Sequence, residues 1–344
     1  MIKAALAAVA LAVGLVGTAA QAEARYDILS FEDLDGWERD DHAAALRVFN
    51  DTCADMTDVD WRALCALAQN GPGARDFFEL FFRPVLITEG RPALFTGYFE
   101  PELSGSLRRS DRFRYPIYRQ PPESRAASIW LSRREIESGE TMQNRGLEIA
   151  WVDDPVELFF LQIQGSGRIK LTDGRMIRVG YGGSNGHDYR SIGAEMVRRG
   201  IYEVHQVSAE VIKNWVRRNP EDGAELLLHN PSYVFFRRID DLRPELGPRG
   251  AMNRSITTGR SVAIDPKFVP LGAPVWIEKD GADPVRRLMI AQDTGSAIKG
   301  AQRADLFMGT GDAAGRAAGQ LRDPGRMLVL MPIQRAYALA PDAI

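Results

Sequence analysis

The segment RRLMIAQDTGSAIKGAQRADLFMG (286–309) decides the fold, because it sets two aspartates on two short apolar runs joined by a loop with glycines. LMIAQ (288–292) has the length and character of a buried strand, DTGSAIKG (293–300) carries turn chemistry, and ADLFMG (304–309) predicts a second strand. Asp293 therefore ends one strand and Asp305 lies inside another. An aspartate beside Thr-Gly or Pro ordinarily shapes a turn or caps a helix. Asp305 has no such turn to serve. Flanked by Ala304, Leu306 and Phe307, its carboxyl needs a partner or a function. Desolvation there favours the protonated acid, which is the form a general acid takes at neutral pH.

Outward from this segment the chain is rich in strand signals at both ends. GRSVAIDPKFVPLGAPVWIEKDG (259–281) and RMLVLMPI (326–333) lie on either side of it, and LFTGYFEPELSGS (94–106) reads as a strand broken by Pro101 and glycine. Between them the chain is mixed. Residues 107–150 are polar and arginine-rich, with an extended YPIY (115–118) and a helix expected at LSRREIESG (131–139). LFFLQIQGSGRI (158–169) alternates into glycine, and Asp173-Gly174 is a hairpin turn signal. Helices are expected over 189–199 and over 209–218, the second capped by Ser208, followed by a strand in NPSYVFFRRI (230–239). LRPELGPRGAMN (242–253) reads as a linker or crossover, and residues 40–84 carry apolar residues at helical spacing. Strands before 106 and after 255 with a mixed block between them predict one barrel-like β domain interrupted by an inserted domain.

Composition bounds the function. The 344 residues are 45% hydrophobic and 26% charged with a formal net charge of −3, and there is no long basic run, so nucleic acid is not an expected partner. Lys3, the apolar run at 4–17 and Ala20-Gln21-Ala22 fit a secretory signal cleaved after Ala22. No cysteine near that point offers a lipid attachment site. In an exported chain Cys53 and Cys65 are either a disulfide or two buried thiols. His42, His187, His205 and His229 are scattered without ligand spacing, so no metal site is expected.

Two motifs invite a wrong turn. Gly182-Gly183-Ser184-Asn185-Gly186 matches a nucleophile elbow, but His187-Asp188 stand where a helix should begin at once. Gly309-Thr310-Gly311 resembles a dinucleotide turn but lacks a surrounding βαβ unit. A sugar groove fits the composition better. Tyr98, Phe99, Tyr115, Tyr118 and Tyr181 offer flat apolar faces to pyranose rings, and Gln162 and Gln164 offer amides to hydroxyl and N-acetyl groups; each aromatic alone is as well explained by a core position.

Six ordered motifs now carry a resemblance. GYFEPEL (97–103), YPIYRQP (115–121), FFLQIQGSGRI (159–169), AIDPKFVPLG (263–272), AQDTGSAIKG (291–300) and RADLFMGTG (303–311) resemble the membrane-bound lytic transglycosylase A family over nearly all of the mature chain. The resemblance implies a mainly β protein with α: a double-psi β-barrel from residues 23–106 and 251–344 with N-terminal helices, and a smaller β-rich domain, 107–250, forming the other wall of a glycan groove. It implies Asp305 as catalytic acid, Asp293 in support, and Asp265 as structural or supporting. Tyr98, Glu100, Gln162, Gln164, Ser166 and Tyr181 would bind substrate. The expected activity is cleavage of the β-1,4 bond from N-acetylmuramic acid to N-acetylglucosamine, with closure of a 1,6-anhydro ring and no cofactor. A soluble periplasmic monomer is expected, with peptidoglycan strands as partner and other cell-wall enzymes as candidates. A non-catalytic, expansin-like glycan binder and a hydrolase are the alternatives.

Overall fold

The computed structural model describes residues 24–71 and 73–341, so the expected signal segment lies outside the described residues. The chain begins with β1 (Arg25–Ile28) and three helices, α1 (His42–Cys53), α2 (Val59–Asn70) and α3 (Ala74–Phe81), then runs through β2 (Phe82–Thr88) and β3 (Leu94–Glu100). Asp41 and Asp58 start α1 and α2 by accepting backbone N–H bonds. Helix α3 ends where the apolar run continues as β2, so the helix expected to reach residue 84 gives way to strand after Phe81.

The middle of the chain forms a separate six-stranded sheet. Its strands are β4 (Glu102–Ser106), β5 (Tyr115–Tyr118), β6 (Glu148–Val152), β7 (Gly167–Leu171), β8 (Met176–Ser184) and β9 (Val234–Ile239). Helices α4 (Pro122–Ala126), α5 (Arg133–Ser138), α6 (Pro155–Gln164), α7 (Ile192–Arg198), α8 (Ala209–Arg218) and α9 (Pro220–Leu227) accompany it. The alternating run at 158–169 divides into a helix and a strand. Asp154 caps the backbone N–H groups of Val156 and Glu157, Pro155 opens α6, and Gly165 closes it at φ +76°. At the other turn signal, Gly174 (φ +84°) joins β7 to β8 as expected.

After residue 255 the chain returns to the first sheet with β10 (Ser261–Ile264), β11 (Pro274–Lys279), β12 (Val285–Thr294), β13 (Arg303–Thr310), helix α10 (Gly311–Gln320), β14 (Arg322–Asp323), β15 (Gly325–Pro332) and helix α11 (Ile333–Leu339). The order across this sheet is β1-β2-β15-β11-β12-β10-β13-β3-β14, and it curls into a nearly closed barrel. Both ends of the chain thus build one sheet. The strand expected over 94–106 is divided at Pro101, with β3 in the barrel and β4 in the smaller sheet, because proline has no N–H to continue a ladder.

The barrel core is aromatic where the N-terminal helices cover it. Phe49, Trp61, Phe77, Phe78 and Phe82 are fully buried and touch one another, and Trp37 packs edge-on to Trp276 of β11 at 5.1 Å. Each such ring contributes about 2–3 kcal/mol by its burial. Cys53 and Cys65 form a disulfide that pins α1 to α2. No helix among the described residues is long and apolar enough to cross a membrane.

Candidate active site

Strand register builds the site. The two aspartate strands are not neighbours, because β10 lies between them. Ala263 on β10 pairs with Asp293 on one side and Asp305 on the other, and Asp305 pairs in turn with Thr96 on β3. Laterally paired residues share a face of a sheet, so Asp293, Ala263, Asp305 and Thr96 form one row. Two strand spacings, about 10 Å of backbone, separate the aspartates. Only the alanine methyl stands between them.

The two carboxyls are held differently. Asp305 Oδ1 accepts a 2.6 Å hydrogen bond from the Thr96 hydroxyl. That hydroxyl oxygen itself accepts from Arg303 Nη2 at 2.8 Å, so the one hydrogen of Thr96 is directed at Asp305. Asp305 Oδ2 has no hydrogen-bond partner among the described residues. Burial pushes the Asp305 carboxyl above its ordinary range, and the Thr96 bond and the Arg303 charge hold the shift back. Asp293, by contrast, has three donors. Its Oδ1 accepts from the backbone N–H of Ala251 (3.0 Å) and Thr294 (2.9 Å), and its Oδ2 accepts from the Tyr98 hydroxyl (3.0 Å). Burial nevertheless raises it to about 6, with the Asp305 charge adding to the rise. At neutral pH Asp293 is therefore mostly ionised, and Tyr98, whose phenol is raised well above its usual range by burial and by Asp293, stays a donor.

The surrounding residues explain this placement. On β3, Thr96 and Tyr98 face the aspartates. Gly97 and Phe99 face α10 instead, where a Cβ on Gly97 would come within 2.8 Å of Ala318 Cα. Tyr98 is braced against Phe307 of β13 with ring centroids 5.3 Å apart. The segment expected as a linker, 242–253, passes over the Asp293 end, and a Cβ on Gly250 would stand 2.6 Å from the Gln292 carbonyl. Asp265 is buried and shapes two local features. Its Oδ1 accepts from the N–H of Lys267 and its Oδ2 from that of Gly300, which ties down the end of the loop after Asp293.

Other expected site residues lie elsewhere. Glu100 is fully buried beneath two arginines of the smaller sheet: Arg168 Nε donates to its Oε2 at 2.9 Å and Arg178 Nε lies 2.8 Å from its Oε1. It is a link between the sheets, unavailable to a sugar. Gln162 is buried and accepts from Arg133 within the smaller domain. Gln164 accepts from the backbone N–H of Phe99 at 3.0 Å, and so joins α6 to β3. Ser166 is buried beside this joint and Tyr181 is exposed on β8. Tyr115 and Tyr118 line a cavity of about 1040 Å³ with Trp151, Phe159 and Tyr233, which shares no lining residue with the aspartate row. Ser184 closes β8 with no helix after it, and no nucleophile elbow is formed.

Thr96, Arg303, Ala263 and Ala251 were not singled out in the sequence. Arg303 and Ala263 lie inside the motifs quoted above, but their alignment with the aspartates depends on which strands become neighbours.

Known proteins match this chain in sequence and in fold. The MltA specific insert domain matches residues 94–237 and the 3D domain matches residues 260–331. The membrane-bound lytic murein transglycosylase A of Escherichia coli (strain K12) is 35% identical over 246 residues, which is 69% of this chain and 65% of that protein, just under two thirds of its length. A crystal structure of a membrane-bound lytic murein transglycosylase from Agrobacterium tumefaciens superposes with a TM-score of 0.82 at 31% identity, covering 91% of this chain and 99% of that one. The structure of E. coli MltA with bound chitohexaose superposes with a TM-score of 0.71 at 28% identity, covering 85% and 90%. With both halves of the pattern matched in order and a solved relative covered almost end to end, the chain belongs to the membrane-bound lytic murein transglycosylase A family.

Proposed function

We propose that the protein is a peptidoglycan lytic transglycosylase in which Asp305 is the acid and then the base, and Asp293 is a fixed anion in support. The observation that carries this reading is the asymmetry of the row: Asp305 has one donor and an unpartnered Oδ2, whereas Asp293 is satisfied by three donors. With fewer donors the Asp305 anion is less stabilised, which favours its protonated form. Because Thr96 donates to Oδ1, the acidic hydrogen resides on Oδ2, the oxygen free to meet a substrate.

In the proposed reaction Asp305 Oδ2 gives its proton to the glycosidic oxygen as the bond from C1 of N-acetylmuramic acid breaks. The Asp305 carboxylate next removes the proton of the 6-hydroxyl of the same sugar, and O6 bonds to C1 to close the 1,6-anhydro ring. The acid is regenerated and no water is consumed. A second catalytic carboxylate is unnecessary because the nucleophile is part of the bound sugar, and proximity substitutes for an activated water at an effective molarity on the order of 10⁵ M or more. Support for a glycan substrate comes from the relative solved with chitohexaose. The groove would run over the aspartate row between the barrel domain, to residue 100 and from 251, and the inserted domain, 102–250, which starts after Pro101 instead of at the expected 107 because β4 joins the smaller sheet, with Tyr98 beside the reacting sugar. We place the mature protein in the periplasm as a monomer, exported by the segment that ends at Ala22.

Mass spectrometry of products from purified sacculi tests the reading. Anhydromuropeptides from the wild type and none from Asp305→Asn are expected. Products one water heavier would mean a hydrolase, and retained binding without products from either protein would mean a glycan-binding module.

A further inference from the structure

The row of side chains described above does not stop at Thr96. Strand β14 pairs with the outer edge of β3, placing Arg322 opposite Thr96 and Asp323 opposite Phe95. Phe95 is fully buried, and Asp323 reaches the buried Lys279 amine at 2.7 Å. Arg322 therefore faces the other way, onto the face that carries Thr96 and Asp305. It is exposed, and it has no ion pair or side-chain hydrogen bond among the described residues. Its charged neighbour is another arginine. Arg303 spends its donors on the carbonyls of Leu94 and Ala304 and on Thr96 Oγ1. Burial draws the Arg303 guanidinium below its ordinary range, Asp305 opposes this, and the charge of Arg322 adds to it. Once Asp305 carries its proton, neither guanidinium group has an ion-pair partner among the described residues.

We infer that Arg322 forms an anion subsite at the edge of the aspartate row and receives a carboxylate carried on the muramic acid whose C1 reacts. The inference rests on the transglycosylase reading and adds to it a means of telling muramic acid from N-acetylglucosamine. Those sugars differ by the lactyl ether on C3, and it is this substituent that brings the carboxylate. Arg322 lies two strands from Asp305, about 10 Å of backbone, and a long, flexible side chain covers much of that distance. A bound carboxylate would replace the missing counter-charge and hold the sugar with C1 toward Asp305. The carboxylate has two sources: the lactyl group itself in peptide-free glycan, or the peptide stem attached to it.

Calorimetric titration in an Asp305→Asn background, which does not consume substrate, separates them. The probes are chitohexaose, a peptide-free oligosaccharide alternating N-acetylglucosamine and N-acetylmuramic acid, and the same oligosaccharide bearing stems. Arg322→Ala is expected to weaken the carboxylate-bearing ligands about 10-fold or more, to leave chitohexaose within about 2-fold, and to be partly rescued by Arg322→Lys. Weakening of the peptide-free ligand alone assigns the lactyl carboxylate, which is an amide in the stem-bearing ligand; weakening of the stem-bearing ligand alone assigns the stem, and weakening of both means that Arg322 takes either carboxylate. In the protein with Asp305 intact the loss falls on KM. Equal weakening of chitohexaose, or no change with either carboxylate ligand, overturns the inference. If the Asp305→Asn parent binds none of the three probes, the glycan reading fails, and the subsite falls with it.

Discussion

Asp293 and Asp305 stand on either side of Ala263 in the same row of the same sheet, and burial raises both, yet only one of them has a free oxygen. Asp293 is wrapped by two backbone N–H groups and a tyrosine hydroxyl; Asp305 meets a single hydroxyl that is itself oriented by an arginine. The comparison teaches that desolvation alone does not assign roles to paired carboxyls. Donor count separates a carboxyl whose two oxygens are both held from one that keeps an oxygen free.

Four substitutions test that difference. Asp305→Asn should cost about 10³-fold or more in kcat with the fold intact, as loss of a general acid does; if Asp293→Asn costs more, the assignment is reversed. Asp293→Asn should cost roughly 10- to 100-fold, since a positioned charge is lost while the acid remains. It should also change stability with a definite sign. A carboxyl whose folded pKa is raised to about 6 favours the folded state at low pH and loses that contribution as pH rises through about 6. Asp293→Asn should therefore melt higher than wild type above pH 6, with the difference gone near pH 4.

The two smaller effects should move opposite limbs of the pH profile. Thr96→Val removes the donor to Asp305, raises that carboxyl further, and should shift the alkaline limb upward with a loss of about 5- to 10-fold in rate. Tyr98→Phe removes one of three donors from Asp293 and should shift the acid limb upward, with a rate loss of only about 3-fold. Both are read from kcat against pH on soluble glycan strands. Shifts in the same limb would mean that the two carboxyls titrate as one unit.

The strands that carry the aspartates were legible because apolar residues run through 288–292 and 304–309, and strands buried on both faces read that way. The helix α6 was not. Its alternation fits either period, and the deciding signals, Asp154-Pro155 before it and Gly165 after it, lie at its ends. The disulfide was one of two open readings for Cys53 and Cys65, and helix packing settles it by bringing their Cα atoms to 5.6 Å. Partners were hardest to read. Thr96 is 209 positions from Asp305, and Glu100 is 68 and 78 positions from its two arginines, so local pattern could mark these residues as polar among apolar neighbours but could not say what they face.

Glu100 has a mechanical meaning as well. It ends β3, one residue before the chain leaves the barrel, and grips Arg168 and Arg178 of the other sheet, while Thr310 donates to it from β13 at 2.9 Å. Glu100 is fully buried, so removing one of its arginine partners costs about 3–5 kcal/mol. Thermal motion seldom opens a joint that strong. The chain's crossing at Pro101 is therefore pinned from both sides, and the two sheets are expected to move as one body.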